Sequence, residues 1–139
     1  MISDVRAYFK SRVTEELSKA IEHEDAFNLE NIALRNGQEK YHIAIGSIGN
    51  IETHGDRVTD SIEIELSLVK KGYLKTQDNF FDFIDSLQNI KLRASNQRNY
   101  NNGIKLVVCN SITVDGLDSN DNIFQATLSF SVRMDSAVI

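Results

Sequence analysis

The feature that most constrains this chain is a long alternation in residues 58–71, VTDSIEIELSLVKK. Ile62, Ile64, Leu66 and Leu68 are apolar, and Thr59, Ser61, Glu63, Glu65 and Ser67 between them are polar. Period two describes a β-strand with one dry face and one wet face. About thirteen residues at ~3.3 Å each reach ~43 Å, roughly twice the usual strand. Residues 122–134 repeat the pattern. There Phe124, Ala126, Leu128, Phe130, Val132 and Met134 alternate with Gln125, Thr127, Ser129, Ser131 and Arg133. Two such strands in one sheet share one core face.

Two other stretches change period. In residues 2–21, Ile2, Val5, Phe9, Val13, Leu17 and Ile21 recur at steps of three and four. That is a helix with one apolar stripe, with Ser3 as its candidate N-cap and Arg6 at the position where a capping box has Glu. Residues 79–92 carry Phe80, Phe83, Ile84, Leu87 and Ile90 at the same steps, with Thr76 or Asp78 as cap. Asp78 and Asp82 suit the positive end of its dipole, and Lys91 and Arg93 the negative end.

The remaining segments connect these. Residues 26–34 read as an extended connector or short strand, followed by a turn at Asn36-Gly37. Residues 40–48 alternate through Tyr41, Ile43 and Ile45 and read as a strand. Residues 46–57 hold Gly46, Gly49 and Gly55 and read as a loop or irregular strand end, with the turn itself at His54 to Asp56. Residues 93–103 read as a polar loop. Residues 104–109 read as a short buried strand, continued at 112–114 past a bulge at Asn110-Ser111, and 115–121 as a turn. Proline is absent, so turns fall to Gly, Asn and Asp. Helix, hairpin, helix, hairpin predicts one α+β domain over residues 1–139. Its form is two layers, a mainly antiparallel sheet of about four long strands with two amphipathic helices on one face.

Composition excludes several classes. A net charge of −5 argues against a protein whose main task is gripping nucleic acid. The single cysteine, Cys109, forms no internal disulfide and lies in an apolar run, where an inert thiol is expected. No apolar run approaches the ~20 residues that span a bilayer. The opening MISDVRAYFK is amphipathic rather than a charged region followed by a greasy one, which reads against a signal peptide and for an intracellular site of synthesis.

No catalytic signature accompanies the sheet. His23 stands among Glu22, Glu24 and Asp25, but neighbouring side chains on a helix diverge, so a solvated helix end is expected. His42 should face the wet side of its strand, and His54 and Asp56 flank a turn glycine. Asp118, Asn120 and Asn122 have the first three spacings of a calcium loop. Its sixth position is Ile123 and its twelfth Ser129, where Gly and Glu are needed. Glu63 and Glu65 on one strand face could pair as glycosidase carboxylates, but no aromatic groove or third polar group supports that. Arg93, Arg98 and Tyr100 are the residue types that touch nucleic acid, yet the overall acidity favours a protein contact or a solvated loop. The expectation is no catalytic residue, no cofactor and no metal. Long edges and a polar face rich in Ser, Thr and Gln point to subunit assembly.

The hairpin GDRVTDSIEIELSLVKK, the helix TQDNFFDFIDSLQNIKL, the closing strand IFQATLSFSVRM and the amphipathic opening helix carry a family likeness. Across most of its length the chain resembles the tail terminator proteins of long-tailed bacteriophages, the lambda minor tail U type. That resemblance implies a structural virion protein made in the host cytoplasm and located at the tail–head junction, with no membrane contact. It implies a homo-oligomeric ring, commonly a hexamer, that caps the completed tail tube and meets the head-completion or connector protein. DNA passes such a ring without sequence-specific binding, which suits an acidic subunit. On this basis Glu63 and Glu65 should face the lumen or a neighbouring subunit. Loops 46–57 and 93–103, with Arg57, Arg93, Arg98 and Tyr100, should meet the tube protein or connector. The alternatives are another neck or tail-completion protein, a small dimeric ligand-binding α+β domain, or an enzyme using His54 and Asp56.

Overall fold

The computed structural model describes residues 2–23, 34, 37–71, 77–117 and 123–137. In chain order these form α1 (Ile2–Glu16), β1 (Ile21–Glu22), β2 (Glu39–His54), β3 (Arg57–Lys71) and α2 (Gln77–Ser95). A 3-10 turn (Gln97–Asn99), β4 (Ile104–Leu117) and β5 (Ile123–Ala137) complete the chain. The strands make one sheet in the order β1-β2-β3-β5-β4. β1 runs parallel to β2, and every other pairing is antiparallel. The result is an α+β two-layer fold in which a helix and then a long hairpin occur twice. The two strands with the clearest alternation, β3 and β5, lie side by side at the centre, from Arg57 opposite Ala137 to Lys71 opposite Ile123.

Alternation becomes layering directly. Ile62, Ile64, Leu66 and Leu68 of β3 and Phe124, Ala126, Leu128, Phe130, Val132 and Met134 of β5 are all buried in one core. Val5, Tyr8, Phe9 and Val13 of α1 and Phe83, Leu87, Ile90 and Ala94 of α2 close that core from above. Phe9 meets Phe130 at 4.9 Å between ring centroids, and Phe83 meets Phe124 at 5.6 Å. Truncating one such ring to Ala costs about 3–5 kcal/mol. The helices are also tied to each other. Tyr8 donates its hydroxyl hydrogen to the Ala94 carbonyl at 2.6 Å, and Arg93 pairs with Glu15 and Glu16 at 3.6 and 3.3 Å.

Several boundaries differ from expectation, each for a local reason. α1 ends at Glu16 rather than residue 21, and Ile21 instead pairs beside Lys40 as a fifth, two-residue strand. Arg6 and Lys10 of α1 form ion pairs with Glu22, which hold that strand against the helix. Ser3 lies inside α1 and Asp78 inside α2, so neither caps. Thr76, Asn36 and most of the 26–34 connector lie outside the described residues. α2 continues to Ser95, three residues past its predicted end at residue 92.

Residues 46–57 take the second of their two expected forms, an irregular strand end: β2 continues to His54 paired with β3, and the turn falls at Gly55-Asp56. Irregular register between Ile45 and Ile48 and between Asn50 and Glu52 absorbs extra residues, so a glycine-bearing segment stays in the ladder. β4 likewise runs through Leu117 with three register shifts, one of them at the predicted bulge beside Asn110.

The helices do not cover the whole sheet. β3 has 15 residues and so spans ~50 Å. α2 has 19 and spans ~28 Å. On β2, Tyr41 and Ile43 are buried, but Ile45, Ile48 and Ile51 are 37%, 55% and 47% exposed. The opposite face is polar along β3 and β5, except at one corner where Leu34, Val69 and Ile123 pack together.

Candidate interaction surfaces

The helix-free face carries Glu63 and Glu65, as the alternation predicts, but the two carboxylates differ. Glu63 is half-buried and accepts the Ser131 hydroxyl at 2.9 and 3.0 Å. Ser131 in turn accepts from Asn110 Nδ2 at 2.7 Å, so one polar chain crosses β3, β5 and β4. Glu65 is exposed, opposite Ser129 on β5 and Ala44 on β2. Glu63 therefore braces the sheet, and Glu65 is the carboxylate offered to a neighbour.

The two segments expected as binding loops converge at one end of the sheet. Arg57 begins β3 just after the Gly55-Asp56 turn. It lines a shallow cleft with Gly103, Lys105, Asp135 and Ser136. Gly103 sits there with φ of +88°, and its carbonyl accepts the Asp135 N–H at 2.9 Å. Thr59 adds a hydroxyl bond to the Asp135 carboxylate at 2.6 Å.

Arg93, Arg98 and Tyr100 do not act as a group. Arg93 is the α1–α2 bridge already described. Tyr100 is half-buried, accepts the Val107 N–H at 2.9 Å and donates to the Ser95 carbonyl at 3.3 Å, which pins the end of α2 to β4. Arg98 is exposed on the 3-10 turn, where its backbone N–H donates to the capping Asn96 Oδ1 at 3.1 Å. Only Arg98 of the three is presented outward without a structural task among the described residues.

The histidines separate. His42 Nδ1 donates to the His23 carbonyl at 2.7 Å, because β1 lies beside β2. His54 is exposed at the far end of β2, opposite Arg57. Among the described residues no group of three His, Cys, Asp or Glu side chains is arranged to hold a metal ion. No helix among them is long and apolar enough to cross a membrane. Cys109 is half-buried against the core, and burial pushes its thiol above the usual range.

Residues that the alternation did not single out complete the surface. Leu106 and Val108 on β4 are each 43% exposed. They lie on the helix-free face, opposite Arg133 and Ser131 of β5. Asp60 lies on the helix-bearing face, opposite Asn50 and Met134, and accepts from Asn50 Nδ2 at 3.3 Å. The signal for Leu106 and Val108 was present in the run IKLVVC, which is too apolar for an alternating strand.

No protein-family model matches the chain, and no curated protein matches it.

Proposed function

We propose that this chain is a non-enzymatic structural subunit of a bacteriophage virion, a tail terminator. It works as a homo-oligomeric ring, commonly six copies, that caps the completed tail tube and forms the joint to the head connector. The observation that carries this reading is the excess of sheet over helical cover. β2 projects past the helices with exposed isoleucines, and a broad polar face stays open on the other side. Such surfaces suit neighbours of the same kind better than a small reacting molecule. The acidic charge supports passage of DNA without adhesion. Glu65 on the open face and Arg57 and Arg98 at the loop end are the residues offered to neighbours, tube or connector.

Mass photometry of the purified chain, alone and with purified tail tubes, tests this. The expected result is a closed species of several copies that seats on one end of each tube. A chain that stays monomeric up to high micromolar concentration and leaves tubes uncapped overturns the reading.

A further inference from the structure

Two exposed apolar patches occupy opposite edges of the sheet and opposite faces. The first is on β2, where Ile45 and Ile48 lie opposite the buried Ile64 and Ile62 and so belong to the helix-bearing face. The second is on β4, where Leu106 and Val108 lie on the helix-free face. Both sit at the same level of the sheet. The row through Ile48 continues as Ile62, Val132 and Val107, and the row through Gly49 continues as Ser61, Arg133 and Leu106.

The charge free to meet a neighbour differs in sign between the patches; Glu63, in the row of Val108 on the helix-free face, is half-buried and already engaged by the Ser131 hydroxyl. Asp60 stands on the helix-bearing face beside Ile62, two rows from Ile48 and so on the same face as it. Arg133 is exposed directly opposite Leu106. Arg133 makes no ion pair among the described residues. An acidic apolar patch and a basic apolar patch on one molecule complement each other across two copies, not within one.

Simple strand addition is the obvious alternative, and the edges argue against it. β2 has two register shifts and β4 three, so neither outer edge offers a regular row of N–H and C=O groups. Overlap of faces needs no ladder. We infer that the helix-bearing face of the β2 arm lies over the helix-free face of the β4 edge of the next copy, with Asp60 set against Arg133. This rests on the ring reading above and names its contact. Because the two patches differ, the contact is heterologous, and repeating it generates a ring or filament rather than a twofold dimer.

Charge exchange tests the pairing. Asp60→Arg and Arg133→Asp should each weaken association about tenfold or more, since like charges then face each other across the contact. The double variant, with the charges swapped, should recover the wild-type mass. Matching circular dichroism and melting curves check that all three fold. Ile48→Lys and Leu106→Lys provide an independent arm. Each alone should be monomeric, and their mixture should give a two-chain species and nothing larger. Oligomers of wild-type size from all single variants, or a double variant no better than the worse single, overturn the face assignment while leaving the ring standing. A monomeric wild-type chain overturns both.

Discussion

Gly103 has little conformational freedom. Its φ is +88°, and an added Cβ would lie 2.3 Å from the Asp135 carbonyl oxygen, a backbone atom that cannot swing aside. Gly103→Ala should therefore lose more than about 2 kcal/mol by urea unfolding. Gly55→Ala, also at positive φ but with nothing within 4 Å, should lose only about 1 kcal/mol. Tyr8 is the second residue with a calculable role. Its hydroxyl satisfies the Ala94 carbonyl, so Tyr8→Phe should cost about 1 kcal/mol. Burial raises the phenol pKa of Tyr8 and Tyr41. The unfolded chain then gives up these protons first, near pH ~10. Their contribution is complete below that pH and is lost as pH rises through the folded values. Tyr8→Phe should flatten the alkaline fall in stability, measured by denaturation at pH 9 to 11. Neither Tyr8 nor Arg12 was legible in the sequence, because a stripe read by hydrophobic type skips both. Arg12 is buried, with its guanidinium 4.8 Å over the Tyr8 ring.

At the scale of elements, the helix pair shows which surface charges matter. Arg93 bridges to Glu15 and Glu16, but it is 44% exposed, so each pair contributes about 0.5 kcal/mol at most. Arg93→Glu should cost about 1 kcal/mol, as a third carboxylate meets the other two, and the loss should shrink in high salt. Arg98→Glu should change stability by less than about 0.5 kcal/mol. If Arg98 and Arg57 meet a partner, Arg57→Glu with Arg98→Glu should abolish tube capping in a fully folded chain. Both helices and both central strands were legible as elements, since their periods hold over many residues. Their ends were less so. Glycines at 46 and 49 looked like a loop, yet bulges let the β2 ladder pass through them. β4 was cut short for the same reason: each register shift breaks the period on which recognition of a strand depends.

At the scale of the molecule, the two-layer α+β form followed from the order of periods, and it needed no knowledge of contacts. Which strands become edges did not follow. That depends on β3 and β5 pairing across a long stretch of chain, a global choice with no local mark. The exposed patches on β2 and β4 could be recognised only after the order was known, and so could the contacts that engage Arg93 and Tyr100 inside the fold. The helix-then-hairpin unit that appears twice has one more consequence. Its two occurrences meet chiefly along the β3–β5 seam and where α1 packs on α2, and the antiparallel seam centred on Ile64 and Phe130 makes them near-equivalent by a half-turn. The chain is in effect a covalent heterodimer of two small modules, each of which leaves an apolar side bare without the other. Produced as separate polypeptides, the modules should be insoluble or unfolded singly and should reconstitute one another when synthesised together.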